Sequence, residues 1–231
     1  MMMDPIYWLF ALPGLVLGLL AAALTRGTFS KYAQVGARSG LTGAEAARQM
    51  LESQGIYDVE IHETEGFLSD HYDPRTHSLH LSPDVYHGRS LSAIGVACHE
   101  AGHAMQQAHG YALMSLRSVL LPVTIAGQNI APILFVIGAA TNMMGLIHLG
   151  LLLFCGAVLF SIVTLPIEWD ASARAKAYMV NSGIVTAAEY PHAAKVLNAA
   201  FLTYVAGAVT AVLQLLYFLF RLGLLGNRRD E

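Results

Sequence analysis

Long runs of uncharged residues constrain this chain more than any other feature. Four stand out: Ile6 to Leu24, about Val119 to Ala140, Leu146 to Ile167, and Val196 to Phe220. Each reaches the ~20 residues that a helix needs to cross a bilayer. Composition agrees, with 55% of the 231 residues hydrophobic and 13% charged, against about 25% charged in soluble domains. The expected fold is mostly α and integral to a membrane, with about four transmembrane helices and a small α+β part outside them. For the second and third runs the alternative is a buried helical hairpin in a soluble core. Their length and lack of charge favour the membrane, although Pro122 and Pro132 interrupt the second. Ala21-Ala22-Ala23 resembles a signal-peptide cleavage site, but Asp4 stands where a basic n-region would be and the apolar run is too long. The first run therefore reads as a retained anchor.

Charge and cysteine usage exclude some functions. The net charge of −3 gives no basic surface for nucleic acid. The two cysteines, Cys98 and Cys155, form no Cys-x-x-Cys pair and read as small core residues. The uncharged spans argue against a channel or transporter, because transport paths carry ionisable groups. Gln128 and Asn129 read as interhelical contacts.

The segment Ala97-Cys98-His99-Glu100-Ala101-Gly102-His103-Ala104-Met105-Gln106 carries the chemistry. Residues four apart share a helix face, so His99 and His103 can hold one metal ion, with Glu100 beside it to take a proton from water. This is the helix of zinc peptidases. The motif follows the apolar, small-residue run Leu91 to Ala97, and residues 90 to 107 read as one buried helix. Such a helix does not carry Glu100 without a use for it, since Glu is almost never buried unpaired.

Zinc needs a third protein ligand. In one class of zinc peptidases a Glu on a second helix supplies it. Four residues later, a small polar or acidic residue orients a ligating His. Glu168 and Ser172, just past the third run, have that spacing. Asp170 is the local rival and points to another face of a regular helix. His109 falls at the third histidine of His-Glu-x-x-His-x-x-Gly-x-x-His. The Gly that turns the chain in that pattern is Gln106 here, so a continuing helix carries His109 away from His103. His109 next to Gly110 also reads as a helix-end histidine.

Arg26, Lys31 and Arg38 follow the first run. The positive-inside rule therefore puts residues 25 to 118 in the cytoplasm. Runs two and three form a hairpin turning near Thr141 to Gly145. It returns the chain to the same side, where Arg174, Lys176 and Lys195 fit. Arg221, Arg228 and Arg229 would then lie outside, against the rule. The parity argument is independent of orientation: an even number of crossings keeps His99 and residue 168 on one side.

The stretches Val96 to Gln106 and Leu165 to Ala175, with Asp70-His71-Tyr72-Asp73-Pro74-Arg75 and Leu79 to Tyr86, resemble the membrane-bound neutral zinc metallopeptidase family (YugP-like). The resemblance covers nearly the whole chain. It implies a zincin-like part with a gluzincin-type site: His99, His103 and Glu168 as ligands of one Zn2+ per chain, and Glu100 as general base. More distantly, the chain is similar to the CAAX-processing and heat-shock membrane zinc proteases, which use Glu-x-x-Ala-Asp at the third ligand. Ser172 replaces that Asp, so its contact to a zinc histidine is expected to be weaker or supplied elsewhere.

These readings divide the chain into an anchor (1–25), a soluble zincin-like part (26–118), a transmembrane hairpin (119–167), a third-ligand helix and loop (168–195), and a C-terminal transmembrane helix with its tail (196–231). Thr42-Gly43-Ala44-Glu45 opens a helix as a capping box that ends at Gly55. Val59 to His62 and Ser78 to Leu81 read as strands, and Tyr72 to Thr76 as a turn. The resulting two- or three-stranded sheet can hold an extended peptide at its edge or merely roof the helix. His62, His71, His77, His80 and His87 lack helical ligand spacing and read as surface or turn histidines. Tyr190, His192 and Tyr204 are candidates for a second electrophile, although Tyr at a membrane edge is more often an anchor. The expected function is an integral-membrane zinc metalloendopeptidase of the cell membrane, multi-pass, with its site facing the cytoplasm. It would act on protein or peptide substrates in contact with the lipid bilayer. The alternative is an inactive metal-stabilised scaffold, against which Glu100 argues because a structural zinc needs no base. Gly138-Ala139-Ala140 permits close packing within or between chains, so a homo-oligomer is compatible.

Overall fold

A computed structural model describes residues 5–66 and 69–224. Asp4, Arg228 and Arg229, which entered the anchor and orientation arguments, lie outside these residues. The elements follow in chain order as α1 (Pro5–Ala33), α2 (Gly43–Glu52), β1 (Glu60–Glu63), β2 (His71–Asp73), β3 (Ser78–Leu81), α3 (Pro83–Tyr86), α4 (Leu91–Ala108), α5 (Ala112–Asn129), α6 (Ala131–Thr141), α7 (Met144–Asn181) and α8 (Tyr190–Arg221). The described residues are mostly helical, with one small sheet.

Among the described residues, three helices are long and apolar enough to cross a membrane: α1, α7 and α8. A fourth span is counted if the bent pair α4 and α5 is taken as one broken helix. The second apolar run is not continuous. It is divided between α5 and α6 at Ile130, and Pro132 occupies the first turn of α6. Proline is tolerated there because its missing N–H has no intrahelical partner in any case. Asn142, in a left-handed conformation at φ 55°, closes α6.

The chain divides into two compact units. One comprises Met1–Leu20, Ser115–Pro166 and Thr203–Glu231; the other comprises Ala21–Met114 and Ile167–Leu202. The first unit exposes Leu9 (73%), Val119 (70%), Val136 (67%) and Leu152 (67%). A water-soluble surface of that size would associate, whereas lipid would satisfy it. Inside it, Phe135 stacks on Phe218 at 4.3 Å and Tyr7 meets Tyr217 edge-on at 5.3 Å.

The second unit has a closed apolar core in which Met50, Leu51, Leu79, Leu81, Ile94 and Met105 are fully buried. Helix α2 starts as the capping box anticipated. Thr42 Oγ1 accepts from Glu45 N at 3.1 Å, and Glu45 Oε2 accepts from Thr42 N at 2.8 Å. The sheet has three strands in the order β1-β3-β2, β1 parallel and β2 antiparallel to β3. Tyr72 and Asp73, taken from sequence as the start of a turn, instead pair with β3 together with His71, so the turn begins at Pro74. His77 adopts φ 53° within that turn. Tyr72 is buried, and it is this side chain that fixes β2 against the core.

The strand register lines up His62, His80 and His71 across the sheet. The His80 ring lies 5.6 Å from that of His62 and stacks on that of His71 at 4.8 Å. Three of the histidines read as surface or turn residues therefore form a row.

Candidate metal centre

Helix α4 supplies the first two donors. Ser90 caps it, its side chain accepting from Ala93 N at 3.2 Å. Almost every residue from Leu91 to Gln106 is buried, which accounts for the apolar, small-residue sequence around the motif. Glu168, on α7, is 1% exposed.

Gly102 lets the two helices meet. A Cβ placed there would lie 2.5 Å from the carbonyl oxygen of Ala171, closer than any side chain allows. The backbones of α4 and α7 touch at this point. Ala171 sits between Glu168 and Ser172 on α7, and Gly102 sits between His99 and His103 on α4. One close contact thus brings both pairs together.

The imidazoles of His99 and His103 and the carboxylate of Glu168 offer three ligand atoms, all within 4.8 Å of one another. Glu168 Oε2 lies 3.1 Å from His99 Nε2 and 3.4 Å from His103 Nε2. The two rings meet edge-to-face at 4.8 Å. Each Nδ1 is engaged on the far side. His99 Nδ1 lies 3.1 Å from Ser172 Oγ, and His103 Nδ1 donates to Gln106 Oε1 at 2.9 Å. Amide oxygens accept and do not donate, so His103 carries its proton on Nδ1 and turns the Nε2 lone pair toward Glu168. Ser172 permits the same tautomer at His99.

Gln106 is the residue that sequence reasoning missed. It entered only as the absent glycine of another pattern. Fully buried, it also donates from Nε2 to Ile167 O at 2.8 Å and to Asp170 Oδ2 at 2.9 Å. Asp170 in turn accepts from Arg174 Nε at 2.6 Å. Asp170, the rival third ligand, is therefore a support two bonds back from His103. Ser172 does make the contact expected to be weak or replaced. His109 lies past the end of α4 with its Nδ1 2.9 Å from Arg174 Nη1, outside the convergent group. His192 stacks on Tyr32 at 5.2 Å and does not join that group either. Cys98 is a buried free thiol, pushed up in pKa by burial.

Electrostatics favour a cation here. Burial opposes charging His103. The hydrogen bond and charge of Glu168, with the charge of Glu100 and the contact to Gln106, outweigh it and hold the pKa above the ordinary value. Glu100 is 8% exposed and close enough to act on His103. Two nearly buried carboxylates beside the two imidazoles suit a positive charge, which a divalent ion would supply. Two nitrogens and one oxygen match the His2Glu donor set of catalytic zinc sites.

Three helix-borne donors of this kind, in a chain with helices fit for a bilayer, suit a membrane metallopeptidase. Residues 7–223 match the sequence model of the family described as "putative neutral zinc metallopeptidase", and the chain belongs to that family. It is a zinc protein of the peptide-hydrolysing class. It is similar to the "putative membrane protease YugP" of Bacillus subtilis (strain 168), with 45% identity over 206 residues, 89% of this chain and 90% of the relative. No solved structure matches.

Proposed function

We propose that this protein is an integral-membrane zinc endopeptidase in which His99, His103 and Glu168 hold the metal and Glu100 is the general base. One observation carries the reading: three buried donors converge while both imidazoles are engaged at Nδ1. Zinc, when bound, supplies a Lewis acid that polarises the scissile carbonyl and lowers the pKa of water. Glu100 takes a proton from the attacking water and returns it to the leaving amine. Gln106 and Ser172 keep the rings turned, and the buried surroundings exclude competing water. An extended protein or peptide segment would add to an edge of the sheet. Strand β2 is one such edge, and Gln107 of α4 holds the turn that follows it, through Pro74 O at 3.1 Å and His77 Nε2 at 3.0 Å.

The cluster of Arg26, Lys31, Arg38, Arg174, Lys176 and Lys195 flanking the spans supports a multi-pass protein of the cell membrane with its site toward the cytoplasm. Substrates would then be cytosolic peptides, membrane-protein tails or juxtamembrane loops. The test pairs zinc content with cleavage of unfolded casein, comparing wild type with Glu100→Gln in the same detergent. Zinc in both and cleavage by wild type alone is expected. Equal cleavage by both removes Glu100 as base. Zinc in both with cleavage by neither favours the scaffold alternative.

A further inference from the structure

A cavity of about 660 Å3 opens among α1, α7 and α8, within the ~300–1,000 Å3 of small-molecule sites. All of its lining belongs to the second unit, and none of the three metal-binding side chains borders it. Its walls are amphiphilic in an ordered way. On α1 the cavity is lined by Leu24 and Lys31, on α8 by Lys195 and Leu202. Each pair is seven residues apart, two turns of helix, so each Lys stands on the same face as its Leu. In both helices the Leu belongs to the uncharged run and the Lys lies just beyond or before it. The cavity therefore has an apolar end, completed by Ala199 and Phe201, and a cationic end with Asn198.

Three further observations set its place and charge. All three helices change from uncharged to charged sequence at this cavity: α1 at Arg26, α7 at Glu168 and α8 at Lys195. That change marks the boundary between hydrocarbon and headgroups. Trp169, 56% exposed and lining the cavity, is the aromatic typical of that boundary. Lys176 Nζ lies 5.1 Å from the centre of its ring and donates to Asn198 Oδ1 at 3.1 Å, adding a third cation nearby. No acidic side chain lines the cavity. Among the described residues, Lys31 and Lys195 make no ion pair with a carboxylate.

We infer that this cavity is a binding site for one anionic glycerophospholipid, its phosphate held by Lys31 and Lys195 and an acyl chain lying against Leu24, Phe201 and Leu202. A zwitterionic lipid brings its own cation to the lysines and fits poorly. A soluble phosphate lacks the chain that the apolar end would cover. The inference does not depend on the peptidase reading, because it is read by binding.

The experiment is native mass spectrometry of the full-length, zinc-loaded protein titrated with phosphatidylglycerol or with phosphatidylcholine of the same acyl chains. One tight phosphatidylglycerol per chain is expected, bound in preference to phosphatidylcholine. Near a membrane surface each lysine contributes enough for about a fivefold change in affinity. Lys31→Gln and Lys195→Gln should each lose about that factor, and the double variant about twenty-fivefold. Arg26→Gln, an exposed cation on α1 outside the cavity, is the control and should lose little. Equal binding of the two lipids overturns the inference. So does an equal loss in Arg26→Gln, which would mark diffuse surface charge. Tight binding of glycerol 3-phosphate alone, or displacement of the lipid by an unfolded protein substrate, also overturns it. All the variants change exposed side chains, and a shared thermal unfolding midpoint without lipid verifies their folds.

Discussion

Replacing Gly102 with alanine tests whether helix approach, rather than side-chain reach, builds the metal site. The added Cβ would lie 2.5 Å from Ala171 O, 3.1 Å from its carbonyl carbon and 3.2 Å from its Cα. All three are backbone atoms of a helix and none can swing aside. Ordinary contact begins at 3.4 Å, so α7 must retreat by about 0.9 Å at Ala171. Metal–ligand distances tolerate only about 0.2 Å. Glu168, one turn from Ala171, would be carried out of reach of an ion held by His99 and His103. Overpacking typically costs ~1–3 kcal/mol, partly offset by the ~1 kcal/mol by which Ala favours a helix over Gly. The expected result is a modest loss of stability with at least a tenfold loss of zinc affinity, the low end of the ~10–100-fold that disturbing the support of a metal ligand costs. Competition against a zinc chelator in detergent measures the affinity, and thermal unfolding of the metal-free protein measures the stability. Gly95→Ala is the control on the same helix. Its Cβ would meet only Ala193 O, at 3.7 Å, so it should bind zinc normally and unfold no earlier than wild type. If Gly102→Ala binds zinc as tightly as Gly95→Ala and unfolds at the same temperature, the close approach does not position Glu168.

Gln106→Leu should weaken zinc binding about 10–100-fold by taking the acceptor from His103 Nδ1; unchanged affinity in the chelator competition would deny it that role. Glu168→Gln should lose more, because it removes the anionic donor, whereas His109→Ala should leave zinc content unchanged; the opposite ranking in metal analysis would reverse the third-ligand assignment. The histidine row predicts a pH effect outside the metal site. Burial first, then the charges of His71 and His62, lower the pKa of His80 against the opposing pull of Asp73. The folded state thus binds fewer protons than the unfolded state just below pH ~6.5, so stability is full above that value and falls as pH drops through the window. His80→Gln should flatten the decline of the unfolding midpoint between about pH 7 and pH 5.5, and an equally steep decline would remove His80 as its source.

What the sequence revealed was what helical spacing writes locally. His99 and His103 four apart, Glu168 and Ser172 four apart, and Thr42 with Glu45 three apart all declare their faces without tertiary knowledge. Strands β1 and β3 were anticipated over Val59 to His62 and Ser78 to Leu81. Strand β2 was not, because three residues beside Pro74 carry the composition of a turn and become a strand only by pairing with β3. The role of Gln106 was invisible for a related reason. Its partners Ile167 and Asp170 lie 61 and 64 residues away, and a buried amide has no periodic signature. Gly102 was hidden inside the motif as a permitted spacer residue, and its importance exists only once a second backbone is against it. The histidine row needed the strand register, which no single strand specifies.

The chain order of the metal site has a consequence for how the protein is made. His99 and His103 leave the ribosome 69 and 65 residues before Glu168, and the apolar segments α5 and α6 and the uncharged part of α7 emerge in between. A nascent chain that has finished α4 holds two of its three donors, and the third follows only after the hydrophobic stretches have been handed to the membrane. Zinc capture is thereby timed to follow insertion. Until Glu168 emerges, the growing chain carries an incomplete donor set.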